Sequence, residues 1–465
     1  MISKIKNTDS IIFDIEGQDF LYSASTVSYY PITKCARELF LDDNFIKYNK
    51  ISNLLYQRFS KKEILLTKKK VREFYNTEII KPIECRLEDN FIFSDYTLKL
   101  IPTTRCNLNC KYCFVNKKSK ENDMSLDVAK KAIDFFITRF VGKDVKRYII
   151  DLTGSGEPLL RLDFILKINE YVLKLKKLKN INIFCQLATN GMLLDEETSS
   201  LLKRNQILFG VSLDGGKEKS EEHRKGLNYD IVIENINNIE NKDFFGIGAT
   251  FSGNNFDFIS IFKSLYNLNP EVIGIKPVRL NLDDENSIHK GNIKKIKDSY
   301  VKFCNFILKN LTNGEREVFN KFIKSEDYFA RFLKILLHPT RVYYRCSAGL
   351  SSIAVDSREN ILICPSFVNI KDGILGNLNT GILNNKYEEF RNYYADKISY
   401  CKNCWARYAC AGECFSVSYN NFNLFTKPLP VMCELKKHLI QLAIYFWSIL
   451  KYDYPEIYKE CLNKY

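Results

Sequence analysis

Three cysteines, Cys106, Cys110 and Cys113, sit at spacings of four and three in the stretch Cys106-Asn107-Leu108-Asn109-Cys110-Lys111-Tyr112-Cys113, with no fourth cysteine nearby. A structural zinc site closes with four ligands. Three closely spaced thiolates suit instead a cubane 4Fe–4S cluster in which one iron keeps a free coordination position. An open iron can bind and reduce a substrate, so the spacing points to chemistry rather than scaffolding. A second constellation fills the C-terminal third: Cys346, Cys364, Cys401, Cys404, Cys410, Cys414 and Cys433. Its short CxxC-type spacings favour metal over disulfides.

The elements that must position these groups follow from periodicity. From Tyr96 onward strands and helices alternate. Thr97 to Thr103, Tyr148 to Thr153, Ile181 to Thr189, Ile207 to Asp214, Phe244 to Ser252 and Val272 to Val278 read as buried parallel strands. Helical segments such as Leu126 to Phe140, Leu162 to Leu175 and Asp195 to Asn205 separate them. This repetition predicts an α/β fold with a parallel sheet and right-handed crossovers. The first three cysteines fall just after the first strand, at the C-terminal end where barrel active sites lie. Ahead of this unit, Ile11 to Ile15 and Phe20 to Tyr22 read as a hairpin turning at Glu16-Gly17-Gln18-Asp19. Helical periodicity follows in Ile32 to Leu41, Ile51 to Phe59 and Ile64 to Tyr75. A helical connector spans Ile293 to Leu337.

The chain has 465 residues, 45% hydrophobic and 13% aromatic, enough for about three domains with a substantial core. No apolar run reaches the ~18 residues that span a bilayer, and the start lacks a signal-peptide pattern. A cytoplasmic protein with no membrane partner is expected. The net charge of +14 is spread along the chain without a dominant block, so no nucleic-acid groove is expected and an acidic peptide partner is favoured.

The CxxxCxxC pattern resembles the radical S-adenosylmethionine (radical SAM) superfamily. The resemblance implies that the open iron chelates SAM, and that one electron, from a donor such as flavodoxin or ferredoxin, releases a 5′-deoxyadenosyl radical. It also implies a partial (β/α)6 barrel. Gly154-Ser155-Gly156-Glu157-Pro158 resembles the GGEP motif that holds the SAM amino group, with Ser155 in place of a glycine. Thr189-Asn190-Gly191 ends the third strand, and Ser212-Leu213-Asp214-Gly215 with His223-Arg224 follows the fourth, as in the family's S-L-D-G…R stretch. Gly156, Glu157, Asn190, Ser212, Asp214 and Arg224 are thereby implied as SAM contacts, with Ser212 and Arg224 at the ribose or carboxylate and Tyr112 near adenine. Each motif alone would be a turn.

Cys401-x2-Cys404-x5-Cys410-x3-Cys414 with Cys433 beyond resembles the SPASM domain, which holds two auxiliary 4Fe–4S clusters. The resemblance implies Cys401, Cys404, Cys410 and Cys433 on one and Cys346, Cys364 and Cys414 on the other, three clusters in all with the SAM-binding one. The second auxiliary set lacks an eighth thiolate. A substrate thiolate, one of Cys35, Cys85, Cys185, Cys304 or Cys461, or water completes it. Sulfatase-maturing relatives place an aspartate after the second cysteine, where this chain has Cys364-Pro365-Ser366. Without that carboxylate the aldehyde-forming reaction loses its proton acceptor.

The N-terminal pattern resembles winged-helix leader-recognition elements, which bind a peptide as an added strand. The implied domains are 1–92 for leader recognition, 93–290 for the partial barrel, 291–338 for the connector, 339–435 for SPASM and 436–465 for a C-terminal helix. Together these features resemble sactipeptide and ranthipeptide maturases, which join a cysteine sulfur to a carbon within a ribosomal precursor peptide. Carbon–carbon or ether macrocyclisation and sulfatase-maturase-like oxidation are the alternatives within this class. An iron–sulfur winged-helix regulator is the alternative outside it, although Ile32 to Leu41 carries only Lys34 and Arg37 against Glu38.

Overall fold

A computed structural model of the chain describes residues 2–5, 8–77, 93–113, 122–142, 145–242, 245–325 and 327–465. Six strands run parallel in chain order: β5 (Asp95–Leu100), β6 (Arg147–Asp151), β7 (Ile183–Thr189), β8 (Leu208–Ser212), β9 (Phe245–Phe251) and β10 (Val272–Pro277). They follow four N-terminal strands, β1 (Ile2–Lys4), β2 (Ser10–Ile15), β3 (Gln18–Ser23) and β4 (Ser28–Ile32). Alternate residues of β7 and β9 are buried, the period a pleated strand imposes. The crossover helices begin at side-chain caps. Ser125 accepts from the Val128 N–H, Asp195 from Thr198, Asn228 from Ile231 and Asp257 from Ser260. The six strands and their crossovers are the α/β partial barrel expected.

The sheet does not stop at the barrel. A further strand, β11 (Ser352–Val355), pairs in parallel with β5, Thr97 opposite Ser352. Antiparallel β12 (Asn360–Leu362), β13 (Ile374–Asn377) and β14 (Gly381–Ile382) continue outward. The cysteine-rich segment is therefore joined edge-on to the first barrel strand, and Cys346 and Cys364 line one cavity with Lys99 of β5 and with Lys276 and Pro277 of β10.

The N-terminal region departs from the expected two strands and three helices. It has four antiparallel strands in the order β1-β2-β3-β4, and four helices: Lys34–Leu41, Asp43–Tyr48, Asn53–Arg58 and Lys61–Asn76. The hairpin lies where foreseen, with a two-residue turn at Glu16 and Gly17, both at positive φ as a type I′ turn requires. The region also is not a free-standing module. Ile12 and Leu21 pack beneath the helices, while Ile11, Phe13, Phe20 and Tyr22 on the opposite face join the main core. Trp405 completes that face, 6.4 Å from the Phe13 ring and 5.5 Å edge-on from Tyr22. A sheet with two apolar faces must be covered on both, and periodicity alone could not say what covers the second.

The connector forms helices Ile293–Thr312, Arg316–Ile323 and Tyr328–Leu337. A long helix, Pro430–Asp453, runs continuously through the expected boundary at 435/436 and carries Cys433 in its first turn. The apolar run Leu439 to Leu450 lies on it and packs in the core. Among the described residues no helix is long and apolar enough to cross a membrane.

Candidate functional site

Cys106, Cys110 and Cys113 occupy the loop after β5, Cys106 and Cys113 exposed and Cys110 half-buried. Asn109–Cys110 form a two-residue ladder with Arg224–Lys225, which pins the loop to the segment following β8. The Leu108 N–H points at Cys106 Sγ from 3.4 Å, and Asn190 Nδ2 lies 4.0 Å from the same sulfur. Donors aimed at sulfur favour its anionic form. Burial pushes the Cys110 thiol up to about 11, opposed by the Arg224 guanidinium. A deprotonated ligand there needs a cation as compensation.

The motif residues converge on this loop, although several are engaged with one another. Glu157 is 2% exposed, and burial raises its carboxyl against three bonds that favour the anion. Its Oε1 accepts from Thr189 Oγ1 at 2.6 Å and from the Leu159 N–H at 3.1 Å; its Oε2 accepts from the Asn190 N–H at 2.8 Å. Glu157 therefore locks the ends of β6 and β7 together. Arg224 donates to both oxygens of Asp214 at 3.1 Å, and the Tyr112 hydroxyl donates to the same carboxylate. The fork foreseen for a SAM carboxylate is taken up by Asp214, with the guanidinium 5.6 Å from the Tyr112 ring centre. Ser212 ends β8 beside this group. His223, unnoticed in the sequence beyond its place in the motif, is buried with both ring nitrogens unpartnered.

Gly156 is the tightest point. A Cβ there would lie 2.2 Å from the Arg105 carbonyl oxygen and 2.8 Å from that of Thr103. Both neighbours are backbone and cannot rotate away. Gly156→Ala is expected to push this loop off the cysteine loop and lower 5′-deoxyadenosine formation about 100-fold, the usual cost of a displacement near 1 Å. An alanine variant with unchanged formation, measured by liquid chromatography, would show that the close approach is not needed.

The second site is a cavity of about 410 Å³ whose wall includes Cys346, Cys364 and Cys414. Arg279 and Cys346 are both exposed. What they face is the cavity itself. Burial pushes Cys364 up to about 12, whereas Cys414 is lowered because the Arg279 guanidinium and nearby hydrogen bonds outweigh its burial. Cys35, Cys185, Cys304 and Cys461 are buried elsewhere, and among the described residues no other cysteine lines this cavity. Cys85 lies outside the described residues. Two carboxylates that sequence did not single out, Asp327 and Glu413, do line it. The two sites touch: Ser155 Oγ donates to the Pro365 carbonyl oxygen at 3.4 Å. The serine that departs from the glycine motif thus joins the loop before Glu157 to the residue after Cys364.

Cys401, Cys404, Cys410 and Cys433 form a third group, each within electrostatic reach of the others. Between the two groups lies a buried ion pair, Lys436 Nζ to Glu413 Oε1 at 2.8 Å. Lys436 Nζ also donates to the Gly412 carbonyl at 3.0 Å, and the Cys414 N–H donates to Glu413 Oε1 at 2.9 Å. Among the described residues no three His, Cys, Asp or Glu side chains converge on a single-ion site. Thiolates sharing one tetrahedral zinc lie about 3.8 Å apart. A four-iron cluster places each thiolate on a different iron and needs no such convergence.

Residues 100–257 match the family model of the Radical SAM superfamily, and the chain carries a radical SAM domain. It is 23% identical over 458 residues to the radical SAM cyclopropyl synthase TigE of Paramaledivibacter caminithermalis, covering 92% of this chain and 90% of that one. It is 27% identical to the cysteine-type anaerobic sulfatase-maturating enzyme of Clostridium perfringens, over 66% of this chain and 85% of that one. Among solved structures, anSMEcpe with bound AdoMet superposes with a TM-score of 0.61 at 22% identity, over 79% of this chain and 100% of that one. Streptococcus suis SuiB bound to precursor peptide SuiA gives 0.51 at 16% identity, over 93% and 99%. These likenesses establish a radical SAM fold with a SPASM-like C-terminal region.

Proposed function

We propose that this chain is a radical SAM peptide maturase that joins a cysteine sulfur to a carbon within one ribosomally made precursor. The observation that carries this reading is the cavity with three thiols and no fourth among the described residues. Cys106, Cys110 and Cys113 would hold the SAM-binding cluster; Cys346, Cys364 and Cys414 one auxiliary cluster; Cys401, Cys404, Cys410 and Cys433 the other. Bound there, these groups would supply a carbon-centred radical at the first site, and at the second an iron for a thiolate and a sink for one electron. The protein's part is position. The Ser155–Pro365 contact keeps the two sites adjacent, and Glu157, Asp214 and Arg224 fix the loops between them.

A peptide substrate is supported by the relatives: SuiB is solved bound to precursor peptide SuiA, and anSMEcpe with bound AdoMet and Cp18Cys peptide. Among the described residues strand β4 pairs with β3 alone and offers an edge for a leader segment. A second reading, carbon–carbon ring closure, is favoured by the likeness to TigE across 92% of this chain.

One experiment separates them. Anaerobically reconstituted protein is mixed with a precursor peptide, and the electron paramagnetic resonance spectrum and product mass are recorded. The thioether reading expects a cysteine peptide, but not its Cys→Ala form, to perturb the auxiliary signal. It also expects a product two hydrogens lighter whose thiol resists alkylation. An equally light product with a freely alkylated thiol would establish carbon–carbon closure instead.

A further inference from the structure

We propose that Arg279 is the fixed counter-charge of the group held by Cys346, Cys364 and Cys414, and that it sets how readily that group accepts an electron. The inference rests on the auxiliary-cluster reading above. Arg279 follows β10 and projects its guanidinium into the same cavity as the three thiols. The strongest electrostatic influences on it are those of Cys414, Cys364, Tyr328 and Cys346, in that order. Arg279 is exposed to the cavity and not sealed within protein, so its charge acts on whatever the cavity holds. Of the two carboxylates on the cavity wall, Glu413 is paired with Lys436, and Asp327 accepts from the Ala330 N–H and the Ser325 hydroxyl.

The neighbouring cations are otherwise engaged. Lys436 is paired with Glu413, Lys99 with Asp151 at 2.5 Å, and the Arg331 guanidinium donates to the Arg345 carbonyl oxygen at 2.9 Å. Arg345 lies 4.6 Å from the Tyr328 ring centre, and its charge is shared between Cys346 and Cys410. Among the described residues Arg279 is the cation whose charge is felt by all three thiols of the cavity.

The consequence is redox. A four-iron cluster on three thiolates carries about one negative charge when oxidised and about two when reduced. A fixed cation beside it favours the reduced form. Coupling a carbon radical to a thiolate forms one C–S bond and leaves one surplus electron, and the cluster is the acceptor. Lowering its affinity for that electron slows the step that releases product.

The test uses the full chain with Cys106, Cys110 and Cys113 all changed to Ala, so that only auxiliary clusters contribute. Arg279→Gln and Arg279→Lys are introduced, loaded with iron and sulfide, and titrated electrochemically under electron paramagnetic resonance. Arg279→Gln is expected to make one-electron reduction at least tenfold less favourable, a shift of 59 mV to lower potential. Arg279→Lys is expected to keep most of the parent value. Loss of one cluster's iron in the Gln variant but not in the Lys variant would equally support a counter-charge. An unchanged potential in a loaded Gln variant, or equal iron loss in both, overturns it. Weaker peptide binding with an unchanged potential would reassign Arg279 to a substrate carboxylate. A product with a free thiol would sink the thioether reading and leave a potential shift standing.

Discussion

Changing Cys106, Cys110 and Cys113 together to Ala is expected to reduce 5′-deoxyadenosine formation to background while leaving the C-terminal iron in place. The three thiols lie on one loop after β5, pinned through Asn109–Cys110 to Arg224–Lys225, and contribute nothing to the core. Cys346, Cys364 and Cys414 face a separate cavity, and Cys401, Cys404, Cys410 and Cys433 a third location. Removing three exposed or half-exposed thiols leaves no large cavity and strands no buried polar group, so the fold should survive. Iron content should therefore fall by about four atoms per chain, one cluster's worth. Deoxyadenosine formation that persists in the variant would remove the SAM site from this loop. Loss of all iron would mean that the three cysteine groups do not load independently.

The six barrel strands were legible because buried parallel strands declare themselves as short β-branched runs between amphipathic helices. Their ends agree with expectation within a few residues, since Gly and Asn turns punctuate them. The N-terminal sheet was half legible. The turn at Glu16-Gly17 marked its hairpin, but β1 and β4 are short and half-exposed, with little periodicity to read. That its second face joins the main core depends on Trp405, almost 400 residues away in the chain. The cysteine spacings pointed to a chemistry; they could not name the surroundings. Arg279, Asp327 and Glu413 line one cavity from distant parts of the chain, a convergence without a local signature. Glu413 matters for the alternatives as well. The carboxylate missing after Cys364 in sequence is matched in space by two others on the cavity wall, so aldehyde formation is not excluded by a lack of acids.

The Lys436–Glu413 pair should produce the largest stability effect of any single substitution considered. Both side chains are almost wholly buried, at 2% and 1% exposure. Glu413 Oε2 has no hydrogen-bond partner, so the carboxylate leans on Lys436 and the Cys414 N–H through Oε1 alone. The charge of Lys436 is held well above its ordinary range, by Glu413 first, against its own burial. Lys436→Met keeps the volume and removes the cation, leaving an uncompensated buried carboxylate beside Cys414. Breaking a buried pair in this way costs about 3–5 kcal/mol. Urea unfolding of the iron-free protein should show that loss. Adding Glu413→Gln to Lys436→Met removes the stranded charge and should recover much of it, because replacing both ions is often close to neutral. A double variant no more stable than Lys436→Met alone would show that the lysine acts through packing over the Tyr328 ring, 5.2 Å from its Nζ, and not through charge.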